Sequence, residues 1–341
     1  MKKIVFTGGG TLGHVMPNLF LMEELTDYEI YYIGSSGIEK EKVKGKVKRY
    51  YEIPSTKLVR GKILKNLKIP FVVFKAINEA KKILKKVRPD VIFSKGGYVS
   101  LPVCVAGRML KIPIVAHESD YSFGLANKII LKLCNHMCVN FKNLEGENKK
   151  ITYTGPIFST DFESIETAKN LNLDANKRTI LIIGGSLGSQ KINNNIYAIL
   201  KDLLVSFNVI HITGKGNKKI NSFENYNSFE MVDNVVEFYN VADFVIGRSG
   251  AGVTAECFFK RLPMILIPLD NGSSRGDQMQ NANYYTNLGT ATVLREKDLT
   301  PTALLKTIEK FNLDLDKYIK NYASIKTHNG KSKVLDLIRK Y

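Results

Sequence analysis

The sequence predicts an α/β protein of two Rossmann-like domains, each built on a parallel sheet, facing one another across a cleft. Three observations predict it. Short apolar runs alternate with longer amphipathic segments, the pattern of βαβ units. The 341 residues suit two domains of about 150–170 residues better than one. Each half also opens on the same device: Ile4-Val5-Phe6 runs into Gly8-Gly9-Gly10-Thr11-Leu12-Gly13, and Leu181-Ile182-Ile183 into Gly184-Gly185-Ser186-Leu187-Gly188. A strand, a glycine turn and a helix start make a seat for a phosphate, because the N–H groups of the first helical turn and the helix dipole both point at it.

In the first half, strands are expected at residues 3–6, 29–33, 90–93, 112–116 and 136–139, with 151–154 closing the domain. The second half offers 179–183, 208–212, 243–246 and 263–267, with a further strand near 290–293. The runs 179–183 and 263–267 are almost wholly apolar, as strands covered on both faces are. The polar stretch from Gly155 to Asn176 contains the linker, which places the first domain at 1–157 and the second at 158–321. The segment from about 322 to 341 is expected to cross back and complete the first domain.

Composition narrows the class. An apolar share of 44% supplies real cores, and no run of 18 uncharged apolar residues is present to span a bilayer. The opening Met1-Lys2-Lys3-Ile4-Val5-Phe6 is cut off by Gly8, too early for a signal-peptide core, so it reads as a first buried strand of a cytoplasmic protein. Four cysteines make no disulfide framework. Cys134 and Cys138 bracket His136 without a second ligand pair, and read as small buried residues rather than a zinc site. The net charge of +18 is unevenly placed: residues 1–157 carry 27 Lys/Arg against 13 Asp/Glu, the remaining 184 carry 23 against 19. A basic first half implies an anionic partner, whether nucleic acid, an acidic membrane surface or a phosphorylated substrate.

The first glycine loop fits two nucleotide fingerprints on paper. Gly8-x-Gly10-x-x-Gly13 matches the dinucleotide pattern, but the second strand runs out through Tyr31-Tyr32-Ile33-Gly34-Ser35-Ser36 without the carboxylate that would hold a ribose. Gly8-x4-Gly13 resembles a Walker A loop, yet His14 and Val15 stand where Lys and Ser/Thr are needed for the phosphates and Mg²⁺. What remains distinctive is His14 itself. A helix N-terminus disfavours imidazolium, leaving a ring able to accept a proton.

Seven strings, in order over about residues 1–295, resemble the undecaprenyldiphospho-muramoylpentapeptide β-N-acetylglucosaminyltransferase (MurG) family in the form common in Firmicutes. They are Gly8–His14, Lys95-Gly-Gly-Tyr-Val-Ser-Leu-Pro102, His117-Glu-Ser-Asp120 with Gly124–Lys128, Gly184–Ser189, His211-Ile-Thr-Gly-Lys215, Gly247-Arg-Ser-Gly-Ala251 leading to Glu256, and Ser274-Arg-Gly-Asp-Gln278 with Asn281-Ala282. The resemblance implies the GT-B fold. It also implies an inverting transfer of N-acetylglucosamine from UDP-GlcNAc to the C4 hydroxyl of N-acetylmuramic acid on lipid I, giving lipid II for peptidoglycan, with no cofactor and no metal.

By the same resemblance, His14 is the candidate base, and Glu118 either orients the acceptor or shares that role. The second loop, through Gly185, Ser186 and Gly188, holds the donor's phosphates, and the backbone at Val232 meets the uracil edge. Glu256 takes the ribose hydroxyls, since one carboxylate accepts from two neighbours; Gln278 fits the sugar, beside Ala251 and Gly252. Thr11, Leu12, Gly13 and Asp120 line the donor side, and Tyr98 and Asn193 the acceptor side. Two departures stand out. The family often has Asn where this chain has Asp120, and an Arg shortly after the Gly155-Pro156 turn, where this chain reads Ile157-Phe158-Ser159-Thr160. Arg248, Lys215 or Arg275 is the candidate to replace that cation. Asp314-Leu315-Asp316 copies the metal motif of another transferase class, but its charged surroundings read as surface.

Lipid I is membrane-anchored, so the enzyme is expected at the cytoplasmic face of the cell membrane as a peripheral protein. Residues 57–88 carry 11 Lys/Arg and one acid, Glu79. Of these, 57–74 interleave lysines with apolar residues, including Phe71 and Phe74, and form the candidate contact with anionic lipid. Ala76, Ile77, Ala80, Ile83, Leu84 and Val87 have helical spacing and read as core. No nucleic-acid-reading module is evident. The rival functions are another GT-B lipid glycosyltransferase, such as a diacylglycerol glucosyltransferase, a UDP-GlcNAc 2-epimerase, and a silent nucleotide-sugar binding module.

Overall fold

Two parallel sheets organise the chain, each in a separate compact unit: Met1–Phe158 with Asn329–Tyr341, and Ser159–His328. The computed structural model describes residues 1–56, 66–159, 171–185, 188–217, 223–232, 235–270 and 275–341.

The sheet of unit 1 contains β1 (Lys2–Thr7), β2 (Tyr28–Gly34), β3 (Arg49–Glu52), β4 (Val91–Ser94), β5 (Ile114–Glu118), β6 (His136–Val139) and β7 (Ile151–Tyr153). That of unit 2 contains β8 (Arg178–Ile183), β9 (Phe207–Ile212), β10 (Tyr226–Phe229), β11 (Phe244–Gly247), β12 (Met264–Leu266) and β13 (Ala291–Val293). The spatial orders are β3-β2-β1-β4-β5-β6-β7 and β10-β9-β8-β11-β12-β13, with every pairing parallel. In both, the winding reverses between the first strand and the fourth: β1 beside β4, with Ile4 opposite Val91, and β8 beside β11, with Ile180 opposite Phe244. Loops leaving the carboxyl ends of such a pair diverge and open a crevice, where α/β sheets bind ligands.

Strands β3 and β10 are absent from the sequence-based expectation. Both are edge strands bonded on one side only, and both lack the apolar run of a covered strand. Arg49-Tyr50-Tyr51-Glu52 contains no buried residue, and Tyr226-Asn227-Ser228-Phe229 merely alternates.

The helices of unit 1 are α1 (Leu12–Met22), α2 (Ile38–Lys42), α3 (Ile69–Val87), α4 (Ser100–Met109), α5 (Leu125–Leu133) and, after unit 2, α12 (Lys331–Arg339). Helix α3 buries Ala76, Ala80, Leu84 and Val87, one stripe at helical spacing, and stops at Arg88 in the left-handed conformation after Lys85 and Lys86. Helix α12 returns Val334, Leu335, Leu337 and Ile338 to the core formed by Val15, Leu19, Met22 and Leu25 of α1 and its turn. Its entry is stitched to the exit from the sheet: Asn329 Nδ2 donates to Phe158 O at 2.8 Å, and Gly330 N to Pro156 O at 2.6 Å.

Unit 2 carries α6 (Gln190–Ser206), α7 (Val236–Tyr239), α8 (Ala251–Phe259), α9 (Asp277–Asn287), α10 (Pro301–Leu313) and α11 (Leu315–Asn321). Its core packs Ile192, Ile196, Ile199 and Leu203 of α6 and Leu304, Ile308 and Phe311 of α10 on Ile180, Val209, Phe244 and Ile246. Each such side chain contributes about 2 kcal/mol by leaving water. Helix α6 is capped by Ser189, whose hydroxyl accepts from Ile192 N, and α10 by Thr300, which accepts from Ala303 N ahead of Pro301. Among the described residues no helix is long and apolar enough to cross a membrane.

Candidate active site

In unit 1, three loops converge at the carboxyl ends of the central strands: Gly8–Gly13 after β1, Lys95–Tyr98 after β4 and Ser119–Gly124 after β5. Thr11 is the N-cap of α1, and Leu12 and exposed Gly13 open it. His14, in the same turn, points its ring back over the loop. Its Nδ1 lies 3.1 Å from Gly9 O and 3.2 Å from Thr11 Oγ1. A carbonyl oxygen only accepts, so the hydrogen-bond network assigns the proton to Nδ1 and leaves Nε2 as the basic nitrogen. Tyr98 covers Gly10 closely: a Cβ there would sit 2.8 Å from Tyr98 Cε1, and the backbone has φ +82°, so only glycine fits. A Cβ at Gly97 would lie 3.3 Å from His14 Cε1, so the loop after β4 reaches the histidine too.

A residue that sequence reasoning passed over lies beneath this loop. Glu39, on α2, is fully buried; Gly10 N donates to its Oε2 at 3.2 Å, and Ser35 N to its Oε1 at 2.8 Å, with the Ser35 hydroxyl as a third donor. A carboxylate does follow the second strand after all, but it is sealed under the glycine turn rather than offered to a ribose. The loop is braced from the other side by Tyr32, whose hydroxyl donates to Gly8 O at 2.6 Å and accepts from Asn18 Nδ2 at 3.0 Å.

Glu118 is 5% exposed and fully engaged: Oε1 accepts from Asp120 N at 3.0 Å, Oε2 from Gly124 N at 2.9 Å and from Asn127 Nδ2 at 3.0 Å. Both oxygens are taken up by the loop that carries Asp120 and by Asn127, so the carboxylate is placed to shape that loop. Beside it, Lys95 is 1% exposed, its ammonium donating to Ser119 Oγ. Burial pushes this lysine down to about 8, against the opposing pull of Glu118 and Asp120. His117 is wholly buried, and burial holds it well below the usual imidazole value, with Lys95 adding to the effect.

In unit 2 the corresponding loops follow β8, β11 and β12. Gly185 has φ +92°, and a Cβ added at Gly185, Gly250 or Gly252 would meet nothing within 4 Å among the described residues. Ser186 and Leu187 lie outside the described residues. Gly188 is held by close approach: with φ +72°, its Cβ would run into Thr213 O. Two helices therefore start at the reversal of the sheet, α6 after Ser189 and α8 at buried Ala251 and exposed Gly252. Their N-termini give a favourable field for an anion.

Glu256, one turn further along α8, accepts from Tyr239 Oη at 2.9 Å, and burial pushes its carboxyl up to about 7. Gln278 on α9 accepts from Leu269 N at 2.9 Å through Oε1, which fixes the amide and presents Nε2 as a donor. Val232 is half-buried in the loop after β10.

Several expected roles change. Asn193 is 1% exposed inside unit 2, its Nδ2 donating to Thr213 O at 2.9 Å and its Oδ1 3.0 Å from His211 Nε2; it belongs to the framework and not to an acceptor surface. Arg248 is held by Ile267 O, Ser189 Oγ and the Glu296 carboxylate, so it clamps the strand ends rather than standing in for a phosphate-binding Arg. Arg275 is within 3.5 Å of Asp277, and Lys215 is exposed. Asp314 and Asp316 are both exposed, flanking buried Leu315.

Comparison with known proteins agrees with this layout. Sequence models of the glycosyltransferase family 28 N-terminal and C-terminal domains match residues 4–139 and 179–338. The UDP-N-acetylglucosamine--N-acetylmuramyl-(pentapeptide) pyrophosphoryl-undecaprenol N-acetylglucosamine transferase of Clostridium botulinum (strain 657 / Type Ba4) is 42% identical over 353 aligned residues, covering 100% of this chain and 99% of the relative. Among solved structures, Acinetobacter baumannii MurG superposes with a TM-score of 0.78 at 23% identity, with 100% of both chains covered. UDP-GlcNAc 2-epimerase from Neisseria meningitidis, bound to UDP-GlcNAc, gives 0.66 at 14% identity, also over the full length of both. At such identities, likeness to a structure speaks for the fold alone.

Proposed function

The chain belongs to glycosyltransferase family 28, in the branch of the UDP-GlcNAc-dependent transferases that act on pyrophosphoryl-undecaprenol-linked N-acetylmuramyl-pentapeptide, and from that premise we propose how its residues divide the work. It transfers N-acetylglucosamine from UDP-GlcNAc to lipid I. His14 is the base. As the C4 hydroxyl oxygen of N-acetylmuramic acid attacks C1 of the donor sugar, Nε2 takes the hydroxyl proton, while Nδ1–H stays on Gly9 O and holds the ring. The C1–O bond to the diphosphate breaks as the new bond forms, so configuration inverts. UDP departs with the electron pair, its growing charge met by the helix starts at Gln190 and Ala251. The observation that carries this reading is the Gly9–His14 contact, which selects the tautomer a base requires.

Glu256 accepts from the ribose hydroxyls, Gln278 donates to the sugar, and the Val232 backbone takes the uracil edge. Thr11, Leu12, Gly13 and Tyr98 shape the base's surroundings, with Asp120 held by Glu118. The deciding experiment incubates the protein with labelled UDP-GlcNAc and a lipid I analogue: label is expected on the lipid. UDP-ManNAc formed without acceptor would identify an epimerase, and binding without turnover a silent module.

The acceptor is reached at the cytoplasmic face of the membrane by a peripheral contact on unit 1. Of the stretch 57–74, residues 57–65 lie outside the described residues; in the remainder Leu67, Phe71 and Phe74 are 62%, 79% and 68% exposed, beside exposed Lys68 and Lys75. Apolar rings of that size left in water next to lysines suit insertion between anionic headgroups. Liposome flotation tests this. Reversing Lys62, Lys65 and Lys68 to Glu removes about 1 kcal/mol of attraction per lysine, and unchanged binding would refute the contact.

A further inference from the structure

The buried ammonium of Lys95 has no place in the mechanism above, and its setting asks for one. A lysine is among the costliest side chains to bury, and a charge taken out of water without compensation either loses its proton or destabilises the fold. Lys95 is 1% exposed at the end of β4. Among the described residues its ammonium has one acceptor, Ser119 Oγ, for three N–H donors. Ser119 lies between two carboxylates in the chain, Glu118 and Asp120, and both act favourably on the ammonium through space. Glu118 is itself tied to the backbone of residues 120 and 124. The loop is further held by Asn140, whose Nδ2 donates to Ser119 O at 3.0 Å, and by Asn127, which donates to His117 O at 3.2 Å as well as to Glu118. One cation therefore sits behind a loop that presents two anions, at the crevice of a protein whose substrates both carry a diphosphate.

We propose that Lys95 is a positioning residue: its buried ammonium fixes Ser119 and offsets the charge of Glu118 and Asp120, so that the loop after β5 can receive a diphosphate-bearing substrate. Without that offset, Asp120 would repel the ligand it is placed to meet. The inference rests on the transfer reaction proposed above. Coupling between Lys95 and Asp120 is the signature that separates it from a purely structural lysine, because neutralising a distant carboxylate does not repair a cavity.

The test measures KM and kcat, separately for UDP-GlcNAc and for a lipid I analogue, in wild type, Lys95→Met, Asp120→Asn and the double variant, with thermal unfolding recorded for each. Lys95→Met is expected to raise KM for one of the two diphosphate substrates at least tenfold while kcat changes less than threefold. Adding Asp120→Asn is expected to recover most of that loss, and the substrate whose KM moves identifies the diphosphate at the loop. Unchanged KM for both substrates, or a double variant no better than Lys95→Met, overturns the proposal. Should Lys95→Met not fold, Ser119→Ala removes the ammonium's acceptor and leaves all three charges; a threefold or greater rise in a KM sustains the proposal and no change overturns it. Wild-type protein that transfers no label overturns the transfer reading, and this inference with it, and is told apart by appearing in the unmutated enzyme.

Discussion

The two glycine loops share a backbone plan and differ in what fills it. Each follows the first strand of a parallel sheet, turns on glycines and opens a helix at the reversal of the strand order. In unit 1 the protein supplies its own anion: the Glu39 carboxylate takes the N–H of Gly10 and both donors of Ser35. In unit 2 the described part of the loop has no such tenant, and among the described residues nothing stands within 4 Å of a Cβ placed at Gly185, Gly250 or Gly252. A strand–glycine–helix turn is thus only a set of donors. Whether it binds a phosphate depends on whether a side chain has already satisfied it, and the unit 1 loop, satisfied from below, is left to hold a histidine.

The comparison can be broken at four points. The largest effect is expected from His14→Ala, which removes the proposed base and should lower kcat by about 10²–10⁴-fold with little change in donor affinity; near-normal turnover would remove His14 from the mechanism. Next, Gly188→Ala forces a side chain into Thr213 O at a positive φ. It should cost about 1–3 kcal/mol, read as weakened UDP binding by calorimetry, with the unit 1 loop untouched. Glu39→Gln keeps the shape of the seat but turns an acceptor towards donors it cannot all match. A drop in kcat of about tenfold, with UDP affinity unchanged, is the expected cost of losing one charge-assisted hydrogen bond. If UDP affinity falls instead, the two loops are not distinct in the way described.

The smallest effect concerns pH. Glu256 is raised to about 7 by burial, so its carboxyl is protonated below that value and ionises as pH rises through it. In the donor site proposed above, an ionised carboxylate accepts from both ribose hydroxyls, so KM for UDP-GlcNAc should fall by at most about tenfold between pH 6 and 8, the ratio of ionised fractions for a single group. Glu256→Gln should flatten that profile; a profile that survives the substitution assigns the titration elsewhere.

Much of this was legible in the sequence. The central strands announced themselves because strands covered on both faces must be apolar, as Ile180–Ile183 is. Strands β3 and β10 did not, since an edge strand needs only one partner and tolerates Arg49, Glu52 and Asn227. The candidate site was legible where a motif is local, as at Gly8–His14. It was illegible where a side chain's meaning depends on a distant neighbour. Glu39 looks like a surface residue of a charged stretch until α2 folds under the loop, and Arg248 looks like a phosphate ligand until Glu296, 48 positions on, closes over it. Asn193 is a ligand contact only by the family resemblance; helical geometry turns it inwards to His211.

The stitching of residues 155–158 to 329–330 has a consequence for the order of synthesis. Unit 2 is a continuous stretch inserted into unit 1, so on a ribosome its residues 159–328 emerge complete and are able to fold as they come. The sheet of unit 1 is made first but waits: until Val334, Leu335 and Ile338 appear, the apolar face of α1 around Val15, Leu19 and Met22 lacks its cover. A chain released before residue 331 would present a finished unit 2 attached to a unit 1 with an open seam. Because unit 1 stays incomplete to the end, truncated chains are expected to be the sticky, protease-sensitive species, which limited proteolysis of a chain ending at residue 330 would read.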